Sequence, residues 1–320
     1  MLLIDYTITQ PVKQVMITGA VPPVLHEESY GLPAFARDYN SDYQTVLRRR
    51  DDWNPIVSGD ISTLASRAGR VVVGVDSTIA VKYTCFDNRG EFHALEDISR
   101  IAGIRVPRPI LHWDCPSSGR YAVSMTMLPG KSLDDNATYF DPSILDEVSK
   151  SLRSTIASVR TLTSPTIRGP GDNLVRSSLL RCHGAKFSGV DDGTSVIEYL
   201  IRTYGSSADC SSASRVRESY SRYLDNLPDR QDLCVMTHSD LHPSNVVIEE
   251  TGCDTNVGLV DWERASYMPL YWEHLSACIV KSVPLWRSAV ISATVQYPDP
   301  VEAILDMIRE GRRIRHYRDV

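Results

Sequence analysis

With 320 residues, the chain is long enough to form two compact domains with a large buried core. Its 34 basic and 40 acidic residues give a net charge of −6, and no basic run alternates with aromatic residues, which excludes a nucleic-acid partner. No uncharged apolar run reaches transmembrane length, which excludes a membrane partner. The start, Met1–Asp5, lacks signal-peptide features, and seven cysteines without paired spacing indicate a cytoplasmic protein with reduced thiols instead of a disulfide framework or zinc site.

The N-terminal part of the chain gives few structural signals. Residues 1–50 carry proline, tyrosine and charge, and one short helix is predicted at Ser41–Arg49. Residues Val57–Leu64 offer only scattered candidates for the glycine-rich loop that covers nucleotide phosphates in protein kinases. If motifs further along the chain indicate a nucleotide site, its phosphate-covering part would be loose or altered at this place.

A β-hairpin is predicted over Arg70–Tyr83, because apolar residues alternate on both sides of the turn Asp76-Ser77-Thr78. Lys82 lies late in its second strand. A lysine on an interior strand is what a kinase-type site needs to hold the phosphates of ATP. The alternative is an edge-strand lysine that prevents pairing with the edges of other sheets.

A helix is predicted over Glu91–Ala102, where apolar residues recur at helical spacing on one face. In a kinase-type site, a glutamate on the helix that follows the lysine strand positions the lysine. Glu91 is the predicted partner of Lys82, and Glu96 is the alternative.

The segment Tyr121–Leu133 contains a predicted strand, followed by Met127, Leu128 and the pair Pro129-Gly130. By itself the segment is an ordinary strand closed by a Pro-Gly turn. It carries a functional interpretation only together with the rest of the chain.

Two amphipathic helices are predicted in the middle of the chain. The first begins at the cap Asp141-Pro142 and has apolar residues at steps of three and four from Leu145 to Val159. The second, over Val216–Leu227, is ended by Pro228. Between them, Thr163–Gly193 is rich in glycine, serine and aspartate, which predicts a long loop of the kind that is often functional.

The segment Thr237–Asn245 has the sequence Thr-His-Ser-Asp-Leu-His-Pro-Ser-Asn, and a predicted hairpin joins it to Asp261. Phosphoryl transfer needs a carboxylate that accepts the proton of the attacking hydroxyl, and hard oxygen ligands that hold magnesium. Asp240 has the position of the proton-accepting carboxylate, and Asn245 and Asp261 have the positions of the magnesium ligands. The alternative is a structural turn, in which such residues are common.

The chain enters another helix soon after Asp261. The sequence Asp-Trp-Glu-Arg-Ala-Ser-Tyr-Met-Pro-Leu-Tyr-Trp-Glu leads into predicted helices at Tyr271–Val280 and Pro300–Ile314. A protein kinase would have a long activation segment here, so a small-molecule acceptor is predicted instead of a peptide. The side chains of Glu263, Trp272 and Glu273 are candidates for contact with that acceptor, with helix capping and aromatic packing as the alternative roles.

The motifs together resemble the aminoglycoside phosphotransferase-like family, and especially its fungal members. The resemblance covers about Val71–Val280 and is carried by Thr-His-x-Asp-Leu-His-Pro-x-Asn, Asp-Trp-Glu and Pro-x-Tyr-Trp-Glu. His238 stands where protein kinases have histidine or tyrosine. Ser239 stands where the phosphotransferases usually have glycine.

The resemblance implies an α+β, bilobal protein-kinase-like fold, with a small antiparallel sheet lobe containing one helix and a larger, mainly helical lobe. Residues 1–127 would form an N-terminal extension and the nucleotide-binding lobe, and residues 128–320 the catalytic and acceptor-binding lobe. The linker of this family implies that Thr126, Met127 and Leu128 bind the adenine of the nucleotide.

The predicted function is ATP- and magnesium-dependent transfer of a γ-phosphoryl group to a hydroxyl of a small molecule. The acidic chain would weakly attract a cationic acceptor. Two alternatives remain: a nucleotide or metabolite binder on the same scaffold, and an enzyme of secondary metabolism repurposed for another reaction.

Overall fold

The computed structural model of the protein describes most of the chain after residue 60. The described residues are 61–67, 70–75, 78–115, 120–135, 141–172, 174–177, 179–180, 182–185, 192–205, 210–230, 232–251, 254–279, 284–294 and 298–318. The predicted N-terminal extension, with its short helix at Ser41–Arg49, lies outside them.

The chain divides into two compact units. The first comprises Met1–Phe92, as far as it is described, and Pro107–Leu128, and the second comprises His93–Val106 and Pro129–Val320. The single boundary predicted after residue 127 remains a prediction: one junction follows Leu128, but His93–Val106, which the prediction places in the first lobe, belongs to the second unit.

The first unit contains a five-stranded antiparallel sheet with the order β1-β2-β3-β5-β4. Its strands are β1 (Ile61–Arg67), β2 (Arg70–Val75), β3 (Ile79–Thr84), β4 (Pro109–Cys115) and β5 (Arg120–Thr126). Helix α1 (Arg89–Ile98) follows β3; it begins in the first unit, and its residues from His93 onward belong to the second. The predicted hairpin is confirmed as β2 and β3. Residues Ile61–Leu64, which the sequence analysis considers for a phosphate-covering loop, instead belong to strand β1.

The apolar core of this unit lies on one face of the sheet. Because side chains alternate along a strand, the odd-numbered residues of β2 and β3 share a face. Together with Ala122 of β5 they form a buried cluster. Its members on β2 and β3 are Val73, Val75, Ile79, Val81 and Tyr83. Lys82 has an even number and therefore points to the opposite face of the sheet.

The second unit is mainly helical. Its helices are α2 (Pro142–Val159), α3 (Gly193–Tyr204), α4 (Cys210–Asp225), α5 (Trp272–Ile279), α6 (Pro284–Thr294) and α7 (Pro298–Arg318). Its strands are β6 (Lys131–Ser132), β7 (Thr163–Ser164), β8 (Val175–Ser177), β9 (Cys182–Ala185), β10 (Cys234–Thr237), β11 (Val246–Thr251), β12 (Asp254–Leu259) and β13 (Ser266–Pro269). Within the described residues, no helix is both long and apolar enough to cross a lipid bilayer.

Helix α2 confirms the predicted cap and buried stripe. The carboxylate of Asp141 accepts a hydrogen bond from the backbone N–H of Ser143 at 2.8 Å, and proline follows in the first turn. The buried residues recur at steps of three and four, and they include Leu145, Val148, Leu152, Ile156 and Val159. The predicted helices at Val216–Leu227, Tyr271–Val280 and Pro300–Ile314 are confirmed as α4, α5 and α7, with shifted ends.

One prediction needs correction, and two helices are found that the sequence does not predict. The segment Thr163–Gly193 is not one long loop, because it contains β7, which pairs with β10, and the short antiparallel pair β8 and β9. Helices α3 and α6 are not predicted from the sequence. Helix α3 begins after a glycine-rich stretch at the cap Asp192, and its buried positions are rich in β-branched residues, which are poor helix formers outside a tertiary context.

A partly buried carboxylate lies two residues before strand β10, which leads to the predicted catalytic loop. Asp232 accepts hydrogen bonds from the hydroxyls of Tyr220 at 2.9 Å and Tyr223 at 2.7 Å. The ring of Tyr271 packs edge-on against Tyr223, with centroids 5.5 Å apart. Burial raises the pKa of Asp232 to about 6, although both tyrosine hydroxyls favour its ionised form.

This shift makes Asp232 unfavourable for stability at neutral pH. The folded protein binds the proton more tightly than the unfolded chain, whose aspartate has a pKa near 3.8, so the contribution of Asp232 is lost as the pH rises from about 4 to 6. We expect the difference in unfolding free energy between Asp232→Asn and the wild type to move by roughly 2–3 kcal/mol in favour of the variant over this range. Denaturant titrations at several pH values measure it, and a difference that is constant with pH would contradict the assignment.

Candidate active site

Lys82 is an interior residue of the first unit. It lies on the central strand β3, opposite Val72 on one neighbouring strand and Val123 on the other. Its side chain is 6% exposed. The alternative of an edge-strand lysine is therefore wrong, because β3 has a paired strand on each side.

Glu91 is the ion-pair partner of Lys82. The Nζ atom of Lys82 lies 2.9 Å from Oε2 of Glu91, which is in the first turn of α1 and 1% exposed. The side-chain amide of Asn88 donates to the same oxygen at 2.6 Å. Glu96, the alternative partner, instead contacts Nδ1 of His93 at 2.8 Å.

The predicted adenine-binding segment follows strand β5. Thr126 donates its backbone N–H to the carbonyl of Arg108 at 2.9 Å, and Met127 donates to the carbonyl of Thr78 at 2.6 Å. These bonds hold the end of β5 inside the first unit. Leu128 has no backbone–backbone hydrogen bond among the described residues, so its groups remain available to a ligand.

In the second unit, the predicted catalytic loop is anchored by Glu273. Its two carboxylate oxygens accept hydrogen bonds from consecutive backbone N–H groups, from His238 at 2.6 Å and from Ser239 at 3.0 Å. Burial raises the pKa of Glu273, while the two backbone N–H groups favour its ionised form. Ser239 has a left-handed backbone with φ of 64°. Glycine adopts this conformation without the steric cost of a Cβ atom, which explains why glycine is usual here in the family that the motifs resemble.

Side chains within the loop fix the backbone of Asp240 on both sides. Its N–H donates to Nδ1 of His238 at 3.2 Å, so that ring carries its proton on Nε2 and donates to the carbonyl of Val260 at 3.0 Å. The Nδ2 atom of Asn245 donates to the carbonyl of Asp240 at 2.9 Å. The predicted proton acceptor and the first predicted metal ligand are thus joined directly.

The donor atoms near Asp261 fit a magnesium ion. Nδ2 of Asn245 donates to Asp240, so its amide oxygen is the atom that could bind a cation. This Oδ1 accepts from the hydroxyl of Ser244 at 3.3 Å, which leaves one lone pair for a metal. The N–H of Val260 donates to the carbonyl of Asn245 at 2.9 Å. Asp261 has a left-handed backbone with φ of 65°. A carboxylate oxygen of buried Glu263 lies within 4.8 Å of one from Asp261. An amide oxygen and carboxylates are the hard ligands that magnesium prefers.

The three residues predicted to contact an acceptor are all buried, so this prediction is not supported by their positions. Trp272 is fully enclosed, and both oxygens of Glu273 bind the loop backbone. A direct contact with an acceptor needs an accessible side chain, which these two residues lack. Glu263 is also buried and lies beside Asp261.

One residue of this site is not predicted from the sequence. Arg264 forms an ion pair with Asp240, with 3.1 Å between its Nη1 and Oδ1 of the carboxylate. The two residues are 24 positions apart in the chain. Only the fold brings them together, and no spacing rule signals the contact.

Known proteins share both the sequence pattern and the fold. The profile of the phosphotransferase enzyme family matches residues 87–304. The GDP complex of wild-type aminoglycoside 2'-phosphotransferase-IIIa is 12% identical, with 85% of this chain and 96% of that chain covered and a TM-score of 0.51. The GDP complex of a point mutant of that enzyme gives 11% identity, 86% and 96% coverage, and a TM-score of 0.50. A search of curated proteins found no match.

At such low identity the structural likeness concerns the fold alone. It confirms the predicted protein-kinase-like α+β class, which the antiparallel sheets and the helices of the two units also display. The acceptor and the activity are not decided by it.

The Lys82–Glu91 pair gives a stability prediction. Removing one partner leaves the other charge buried, so Lys82→Met and Glu91→Leu should each lower the free energy of unfolding by about 3 kcal/mol. The double variant should lose less than the sum, with a coupling of about 2 kcal/mol in denaturant titrations. The exposed pair Lys150–Asp146, at 2.6 Å, is the matched control and should show additive, small effects. Additive effects at the buried pair would contradict the inference.

The left-handed backbone of Ser239 gives another stability prediction. Ser239→Ala and Ser239→Gly both remove the hydroxyl, which lies 2.9 Å from that of Thr237, but only glycine relieves the positive φ. The glycine variant should therefore be more stable than the alanine variant by about 1 kcal/mol in thermal or chemical unfolding. At Ser276, inside helix α5, the order should reverse. An alanine variant at Ser239 that equals the glycine variant would argue against backbone strain.

Proposed function

Because the chain belongs to the phosphotransferase enzyme family, we propose that it transfers the γ-phosphoryl group of ATP to a hydroxyl group of a small molecule. The observation that carries the proposal is the direct hydrogen bond between Asn245 and Asp240, which joins a magnesium ligand to the acceptor of the hydroxyl proton. The buried Lys82–Glu91 pair supplies the cation that a nucleotide phosphate needs.

Each residue has one role in this proposal. Lys82, held by Glu91, grips the nucleotide phosphates, and Leu128 with its neighbours meets the base. Asn245 and Asp261 hold magnesium, which neutralises charge on the phosphates when it is bound. Asp240 orients the attacking hydroxyl and accepts its proton. Most of the rate acceleration then comes from positioning and charge stabilisation.

A small acceptor is favoured over a peptide by the short segment after Asp261. This residue leads directly into a 3-10 turn at Trp262–Arg264, strand β13 and helix α5, so no long segment is present to bind a polypeptide. The net charge of −6 favours a cationic acceptor weakly. We place the protein among the fungal-type members of the family and in the cytoplasm, as the sequence motifs and reduced cysteines suggest.

A nucleotide or metabolite binder without transfer activity is the second candidate. Between Ile61 and Val75 the sequence contains only two glycines, Gly69 and Gly74, and no G-x-G-x-x-G run. Protein kinases use such a glycine-rich run to cover the phosphates. Its absence from this stretch of the sequence favours weaker closure over the nucleotide.

The decisive variant is Asp240→Asn. It keeps the size of the side chain but removes the proton acceptor, so turnover should fall by about 1,000-fold while magnesium–nucleotide binding is retained. Initial rates with ATP and GTP across a panel of small hydroxyl compounds measure the first effect, and thermal shifts with each nucleotide measure the second.

Asp306→Asn is the matched control, since Asp306 is exposed and paired with Arg309 at 2.9 Å. It should leave both readouts at wild-type values. Full turnover in Asp240→Asn would refute the assigned proton acceptor. A wild type that binds nucleotide but transfers phosphate to no acceptor or to water would favour the binder.

A further inference from the structure

Arg264 contacts the residue to which the proposed function assigns proton acceptance. Its Nη1 atom lies 3.1 Å from Oδ1 of Asp240, and the two side chains are 28% and 19% exposed. The pair is therefore half-buried, where an ion pair is less screened by solvent than on an open surface. No second hydrogen bond of this guanidinium is seen within the part of the chain that the structure describes.

The backbone that carries Arg264 is fixed on both sides. The buried indole of Trp262 donates from Nε1 to the carbonyl of Leu259 at 3.1 Å, and the N–H of Ala265 donates to the carbonyl of Trp262 at 3.0 Å. The hydroxyl of Ser266 donates to the carbonyl of Arg264 at 3.3 Å. Because its backbone is held, Arg264 loses less conformational entropy when it pairs than an arginine on a mobile loop would lose.

The backbone of Asp240 is fixed as well, by His238 and Asn245. These bonds do not fix the two side-chain torsions of Asp240: rotation about Cα–Cβ moves the carboxylate as a whole, and the terminal torsion is soft and roughly twofold. An ion pair with one of the two oxygens restrains both torsions. Arg264 makes that contact, on Oδ1.

We propose that Arg264 is a positioning residue: it occupies Oδ1 of Asp240 and so directs Oδ2 toward the hydroxyl of the acceptor. The inference rests on the proposed function and adds a residue to its machinery. In the transfer step, the bond between the acceptor oxygen and the γ-phosphorus forms, and the bond from that phosphorus to the nucleoside diphosphate breaks. The hydroxyl proton moves to Oδ2 of Asp240, and the nucleoside diphosphate leaves.

The same contact would have the opposite effect if Arg264 were a lock that blocks Asp240. A positioning residue and a lock differ in the sign of the change in kcat when the guanidinium is removed. Arg264→Met removes the charge and the donors while keeping the length of the side chain. Positioning predicts a fall in kcat of about 100-fold, because misorientation of a reacting group by about 1 Å costs that much. A rise in kcat would overturn the proposal.

Further readouts separate positioning from a structural role. The KM for nucleotide and the thermal midpoint should stay near wild-type values in Arg264→Met. Arg264→Lys restores the charge without the planar fork, so its kcat should lie between those of the wild type and the methionine variant. In Arg264→Ala, added guanidinium at millimolar concentration should recover part of kcat, and methylammonium should recover less. A loss of folding, or no rescue by lysine and guanidinium, would overturn the assignment.

Two controls complete the kinetic test. Arg222→Met removes an exposed arginine that pairs with Glu218 at 2.9 Å, and it should leave kcat unchanged. In an Asp240→Asn background, Arg264→Met should lower the residual rate much less than it does in the wild type, because the group it positions is already absent. Equal effects in both backgrounds would contradict the proposal.

One measurement does not depend on activity. In protein labelled at aspartate, three-bond couplings to the side-chain carbon of Asp240, assigned with Asp240→Asn, report whether the side chain has one rotamer. We expect one rotamer in the wild type and averaging in Arg264→Met. If the wild type transfers no phosphate, the proposed function fails, while these couplings still decide whether Arg264 orients Asp240. Unchanged couplings would overturn the inference.

Discussion

The geometry of the candidate site depends on one buried carboxylate. Glu273 holds the N–H groups of His238 and Ser239, the two residues that precede Asp240. Burying a carboxylate is unfavourable unless donors compensate, and the raised pKa shows that the compensation here is incomplete. The left-handed backbone of Ser239 allows consecutive N–H groups to face one acceptor, as in anion-binding nests. The buried carboxylate of Glu273 therefore lowers the stability of the fold while it fixes the shape of the loop before Asp240.

Much of the fold was accessible from the sequence, because it is written in local patterns. The alternation around Lys82 predicts the hairpin and the cap at Asp141 predicts helix α2, and both are present. The order of Asp240, Asn245 and Asp261 predicts a catalytic role for the loop after β10, which remains a prediction. In each case the signal lies within a few residues of the feature. The choice of Glu91 over Glu96 also followed, although only the ion pair distinguishes them.

The remainder depends on contacts between distant parts of the chain. In the sequence, a glutamate after Tyr271 and Trp272 is equally compatible with a ligand contact and with a helix cap. Only the packing of helix α5 shows that Glu273 accepts hydrogen bonds from the loop 35 residues earlier. The pairing of Arg264 with Asp240 is of the same kind. Helix α3 is not predicted because its residues favour helix weakly until tertiary packing buries them. Sequence patterns find a holding residue such as Glu91 when a known motif spacing identifies it, but they do not find one such as Arg264, whose contact depends only on the fold.

The placement of Lys82 on a strand paired on both sides limits how this region can change. Its partners Val72 and Val123 fix its register, and the apolar residues of β2 and β3 cover the other face of the sheet. A single-residue insertion or deletion between Ile79 and Lys82 would turn the ammonium group into that apolar layer and Val81 out of it. Length variation among related chains should therefore accumulate in the connections between strands, while this stretch keeps a constant number of residues even where its identities drift.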